Sequence, residues 1–209
     1  RWVMKPGTAP PNPFGAVDRV KMNPTPGSPD LVEPAGPTDP TVSIVALREP
    51  NGRPIAVYSA YGLHYVGGVN HSDISADYYG MYCEELKRLL DAQDLDPPFV
   101  AMMANGASGD VTSTDRRATQ PKQEPYVKMR HVAENIARKV HAAMAKAAYR
   151  DDVTLAARYQ EPMIATRRPT AEQMAWAKQT LAKPAAKSDK ADLPRIYAAR
   201  TIAVAKSAE

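Results

Sequence analysis

Between residues 41 and 104 the side-chain pattern changes character several times, and the order of those changes limits the fold. Residues 41–49 (TVSIVALRE) are rich in β-branched side chains and read as a strand. Pro50-Asn51-Gly52 is a turn signal, and residues 53–60 (RPIAVYSA) read as a second strand, so the pair predicts an antiparallel hairpin. A helix is predicted over 77–90, where Tyr78, Tyr82, Leu86 and Leu89/Leu90 fall at near-helical spacing. Pro98 then opens an uncharged apolar run over 99–104 (FVAMMA), the pattern of a short strand buried on both faces. Helix after strand and strand after helix predict a crossover unit. The expected fold class is therefore α/β, a layered mixed sheet with flanking helices and a proline-rich N-terminal coil.

The last strand leads straight into residues 105–113 (NGASGDVTS), with two glycines and several hydroxyls. Small residues let backbone N–H groups approach a ligand, and a loop on the end of a core strand is a rigid way to present polar groups. The same pattern also fits an ordinary strand-to-loop turn, and it matches neither the phosphate loop nor the dinucleotide fingerprint. The second strand runs into Tyr61-Gly62-Leu63-His64-Tyr65-Val66-Gly67-Gly68, which sets His64 just past a strand end. A lone histidine there is by itself as well explained by a structural or solvent role. The polar connector over 69–76 offers Ser72, Asp73 and Ser75 as helix N-caps, with Asp77 in the first turn, where a carboxylate suits the helix dipole. Cys83 falls beside the apolar helix face and reads as core.

The flanking segments carry less chemistry. The first forty residues hold many of the chain's 20 prolines, which forbid long helices. Trp2, Met4, Phe14, Val17, Val20, Met22 and Leu31 supply anchors, so an ordered coil lying on a body is expected rather than a disordered arm. The longest helix is predicted over 126–149, from Val132, Ile136, Val140 and Met144 with alanines beside them; His131 and His141 lie off that stripe and read as solvent histidines. Residues 152–160 (DVTLAARYQ) read as a further strand, and Thr170-Ala171-Glu172-Gln173 is a capping box opening a helix to about residue 182. A Lys/Ala/Asp/Ser linker over 183–192 and a last helix over 195–207 complete the chain. The expected organisation is part of a single, incomplete domain over 1–209: coil over 1–40, α/β core over 41–160 and helical extension over 161–209.

A net charge of +4 is spread along the chain apart from Arg116-Arg117 and Arg167-Arg168, and no aromatic-plus-basic surface suggests a nucleic-acid partner. One cysteine excludes an intrachain disulfide. No stretch is long and apolar enough to predict a transmembrane segment. No signal peptide is visible, and the chain opens on Arg1-Trp2.

Three segments, GLHYVGG at 62–68, ISADYYG at 74–80 and NGASGDVT at 105–112, in this order and spacing resemble the N-terminal catalytic domain of the neutral/alkaline non-lysosomal ceramidases, bacterial relatives among them. The resemblance extends over residues 1–148 and is looser beyond. It implies a zinc-dependent hydrolase of an N-acyl linkage such as that of a sphingolipid, in which the metal activates water and polarises the amide carbonyl. It implies a small-molecule or lipid amide as substrate and a secreted or periplasmic location. By position, His64 matches a zinc-binding histidine, and Thr112 takes the place of a serine in the active-site loop. Asn105, Gly109 and Asp110 match the loop that shapes the site, while Asp77 and Tyr79 match a supporting segment. The family's upstream histidine pair and its downstream glutamate and tyrosine ligands have no counterpart here, and a catalytic zinc takes three protein ligands. The resemblance therefore implies that the other ligands come from the remainder of a longer polypeptide, and that this chain alone is inactive. The alternative is a non-catalytic ceramidase-like scaffold that binds a lipid, glycan or protein partner.

Overall fold

The computed structural model describes residues 1–9, 11–109, 111–184 and 192–207. Two small sheets and four helices follow one another as β1 (Trp2–Met4), β2 (Val20–Lys21), β3 (Leu31–Pro34), β4 (Val42–Arg48), β5 (Pro54–Tyr61), α1 (Asp77–Leu89), β6 (Val100–Asn105), α2 (Val127–Met144), α3 (Ala171–Ala182) and α4 (Leu193–Lys206). The strand orders are β2-β1-β3 and β4-β5-β6. The class is mixed α/β, as the pattern of elements predicts. The chain divides into two compact units, Arg1–Val3 with Met22–Asp151 and Met4–Lys21 with Asp152–Glu209.

In the first unit β4 and β5 form the expected antiparallel hairpin, with Val42 opposite Tyr61 and Leu47 opposite Ala56. β5 and β6 are parallel, from Ala56 beside Val100 to Tyr61 beside Asn105, with α1 as the crossover between them. Parallel neighbours end at the same edge of the sheet, so the segments after Tyr61 and after Asn105 emerge side by side. That edge, outside the carboxyl ends of the strands, is where open α/β sheets bind ligands.

α1 buries Tyr78, Tyr82 and Leu86, one per turn, and α2 buries Met129, Ala133, Ile136, Ala137, Val140 and Met144. These side chains and Val57 of β5 share one core. Full burial of a side chain such as Leu86 contributes ~2 kcal/mol. Inside the core the Ser59 and Tyr82 hydroxyls are 2.6 Å apart, so each satisfies the other.

Four expectations are corrected. β6 is not buried on both faces: its burial alternates, with Val100 and Met102 at 47% and 43% exposure. Through the pairing register these two share a face with Val45, Leu47 and Tyr58, also exposed. Residues 152–160 form no strand; Val153, Leu155 and Tyr159 are exposed and no ladder forms there. α2 ends at Met144 rather than near residue 149. Beyond it Tyr149 lies under the Arg48 guanidinium, 3.6 Å from the ring centre. Of the proposed caps for α1, only Ser75 accepts from the helix start, at 3.0 Å from the Asp77 N–H. Ser72 instead meets His71, and Asp73 meets Asn70.

The coil around residues 23–27 is ordered against the loop that precedes α2. Arg116 donates to the Pro24 carbonyl and the Asn23 side chain, each at 3.0 Å, and Pro24 is fully buried. Gly27 sits at φ +73°, where a Cβ would fall 2.7 Å from the Thr119 hydroxyl. In the second unit α3 opens on the expected Thr170/Gln173 capping box, and Phe14 packs on Trp176 and Tyr197, with ring centres 4.8 and 5.9 Å apart. α4 starts at Leu193, capped by Asp192. The expected linker over 183–192 falls largely outside the described residues.

Candidate functional site

His64 and the glycine loop meet at the sheet edge that β5 and β6 share. The His64 N–H donates to the Val111 carbonyl at 3.2 Å, and the Gly106 N–H donates to the Tyr61 carbonyl at 2.9 Å. The approach is tight on both sides, and glycine suits it. A Cβ on Gly62 would lie 3.2 Å from the Ala107 carbonyl oxygen, and one on Gly106 would lie 3.2 Å from the Gly62 nitrogen. The loop is closed on itself by the Val111 N–H donating to the Ser108 carbonyl at 3.1 Å. The His64 ring is half-buried and lies against the Tyr65 ring, centres 4.2 Å apart. Asn105 and Thr112 are exposed, and the Thr112 hydroxyl accepts from the Thr114 N–H at 3.3 Å. Asp110, the remaining sequence-predicted site residue, lies outside the described residues.

The segment that carries His64 is held from behind by the start of α1. Asp77 accepts from the Val66 and Gly67 N–H groups, both at 2.8 Å, and from the Tyr78 N–H at 2.7 Å. It does so from φ +54°, a backbone region uncommon outside glycine that Asp tolerates better than most residues. The Tyr78 and Tyr79 hydroxyls both donate to the Leu63 carbonyl, at 2.9 and 3.2 Å. Burial, followed by the neighbouring Tyr79 hydroxyl, pushes the Tyr78 phenol well above its ordinary range, so it stays a neutral donor. Three consecutive side chains thus fix the backbone on both sides of His64. Their sequence signal was a family likeness at Asp77 and Tyr79; Tyr78 reads from periodicity only as core.

The residue preceding α2 completes the support. The Tyr126 N–H donates to the Gly68 carbonyl at 2.8 Å, and its hydroxyl bonds Asp73. Tyr126 sits at φ +68°, a strained position for an aromatic residue that persists only where surrounding contacts over-determine it. Sequence reading gave Tyr126 no role beyond the first residue of the helix. An open hollow of about 400 Å³ at this corner is lined by Pro125, Tyr126, Val127, Arg130, His131 and Glu134, none of them a sequence-predicted site residue. His131 is exposed and bonds Asn135, while His141 is half-buried.

Among the described residues no group of three or more His, Cys, Asp or Glu side chains is placed to hold a metal ion. Asp77, the carboxylate that clamps the His64 segment, has both oxygens engaged by backbone N–H groups. His64 alone does not make a catalytic zinc site, which takes three protein ligands. Chemically, the described residues offer one imidazole, hydroxyl and amide groups at 112 and 105, and a loop of small residues with backbone donors. No helix of the described residues is long and apolar enough to cross a membrane. No family model, curated protein or solved structure matches this chain.

Proposed function

We propose that this chain supplies one wall of the active site of a ceramidase-type hydrolase acting on an N-acyl linkage. The observation that carries the reading is the pair of main-chain bonds that sets the His64 segment against residues 105–111 at the ends of two parallel strands. Zinc, when bound, would activate the attacking water. His64 would be this chain's one ligand, with the others coming from the remainder of its polypeptide. The chain's own contribution is positioning. The Asn105 amide, the Thr112 hydroxyl and backbone N–H groups of the glycine loop are the polar donors available to hold a carbonyl oxygen as negative charge develops on it. Asp77, Tyr78 and Tyr79 are positioning residues that fix the His64 segment. The substrate is a small-molecule or lipid amide, and the compartment is extracellular or periplasmic.

The test is made on the full natural polypeptide. Metal content and hydrolysis of a fluorogenic N-acyl sphingosine analogue are measured for the wild type, His64→Ala and Thr112→Val. Zinc with turnover in the wild type, both lost in His64→Ala, is the expected result. A metal-free, inert wild-type protein would sink the hydrolase and leave a non-catalytic scaffold that binds a lipid, glycan or protein partner.

A further inference from the structure

The backbone around His64 is fixed on both sides, by the Tyr78 and Tyr79 hydroxyls on the Leu63 carbonyl and by Asp77 on the Val66 and Gly67 N–H groups. That leaves the two side-chain torsions of the imidazole free to choose. A half-buried ring on a rigid main chain still hops between staggered rotamers unless something packs against it. Tyr65 does so, with its ring centre 4.2 Å from that of His64 and its plane tilted by 50°. The Tyr65 ring is backed in turn by the clamp. A Cβ on Gly67 would lie 3.9 Å from two of its ring carbons, so the ring flanks the backbone of a residue whose N–H Asp77 holds at 2.8 Å. Tyr65 is also 63% exposed, so its ring adds little to the core.

We propose that Tyr65 is a positioning residue for the His64 imidazole. A ring pair of this kind favours the packed rotamer about two- to tenfold. The seat of Tyr65 against Gly67 extends the rigidity of the Asp77 clamp from the main chain to the side chain. A group that must meet a reacting centre gains from being held in one rotamer, because a misplacement of about 1 Å is costly. The effect on catalysis rests on the hydrolase reading; the hold on the imidazole does not. The ring, not the hydroxyl, carries the role, since the contact is between ring and ring. Asp110, outside the described residues, is the competing tether, and the test includes it.

The full natural polypeptide is labelled selectively at histidine, its His64 signals are assigned with His64→Gln, and side-chain couplings are measured in the metal-free state at one pH. The wild type and Tyr65→Phe are expected to show a single His64 rotamer, and Tyr65→Leu an averaged one. Circular dichroism and the melting temperature check that the fold is kept, as the exposure of Tyr65 leads one to expect. Where the wild type hydrolyses a fluorogenic N-acyl sphingosine analogue, Tyr65→Leu should lower kcat about two- to tenfold with KM nearly unchanged, and Tyr65→Phe should retain wild-type kcat. The proposal is overturned if His64 keeps a single rotamer in Tyr65→Leu, if Asp110→Asn frees the ring and Tyr65→Leu does not, or if Tyr65→Phe loses as much as Tyr65→Leu. An inert wild type with the expected rotamer change sinks the hydrolase reading alone and leaves the hold of Tyr65 on the imidazole standing.

Discussion

The segment that carries His64 and the glycine loop beside it leave adjacent parallel strands, yet they are held by different means. Residues 63–68 are gripped by side chains: Asp77, Tyr78 and Tyr79 from α1, with the Tyr126 backbone closing the far end. The described part of residues 105–112 is held by main-chain bonds and by close approach, with glycine at both contact points. One loop is therefore sensitive to the removal of polar atoms, and the other to the addition of volume. A site made of one charge-clamped wall and one shape-fitted wall keeps the imidazole in place while leaving the hydroxyl-bearing wall, with Asn105 and Thr112 exposed, open to a ligand.

The largest effect is expected on the clamped side. Asp77→Ala removes a carboxylate that accepts three backbone N–H bonds and puts alanine at φ +54°, so urea unfolding should show a loss of about 3 kcal/mol. A loss near zero would mean that the clamp does not hold the loop. On the fitted side, Gly106→Ala pushes a Cβ to 3.2–3.3 Å from the Gly62 and Tyr61 backbone, with an expected cost of ~1–3 kcal/mol in the same assay. Tyr78→Phe should cost about 1 kcal/mol, because Tyr79 still donates to the shared Leu63 carbonyl. The double change with Tyr79→Phe should exceed the sum of the single ones, and strict additivity would show that the two hydroxyls do not share that acceptor. Thr112→Val should move stability by less than ~0.5 kcal/mol; under the hydrolase proposal it should also lower amide turnover by the full-length protein at least about tenfold.

The smallest effect concerns acid. The Tyr126 hydroxyl, and then Asn70, hold the Asp73 carboxyl below its ordinary 3.8. A depressed carboxyl contributes above its unfolded value and loses that contribution as pH falls through the folded one. The Tyr126–Asp73 tie should thus survive at pH 5 and loosen only below the usual carboxylate range. The Tyr126 ring resonances report this, and they should lose the acid transition in Asp73→Asn.

The sequence makes the sheet legible where each strand has a neighbour close by in the chain. The hairpin turn at Pro50-Asn51-Gly52 and the helix between β5 and β6 specify their pairings locally. Residues 152–160 have the same alternation, with Val153, Leu155 and Tyr159 two or four apart, but form no strand. Alternation describes a surface that fits a sheet, and it carries no information about whether an edge is there to receive it. The run over 99–104 misled in another way: an uncharged stretch reads as doubly buried, yet Val100 and Met102 face outward on the same side as Val45 and Leu47. At the site, His64 and the loop were legible as strand-end features. Of the tyrosine clamp, Tyr79 was signalled only through the family likeness, and Tyr78 read only as core, because an i, i+4 aromatic stripe reports burial and is silent about where a hydroxyl at its tip will land.

The Ser59–Tyr82 bond, described above as part of the core, has a mechanical consequence when taken with Asp77. α1 is fastened at its first residue to the backbone around His64 and, about a turn further on, to the middle of β5. The helix is in that sense a strut rather than a flap. Anything that presses on the imidazole segment loads the central strand, so occupancy should register as slowed hydrogen exchange at Val57 and Ser59, deep in the body and away from the point of contact.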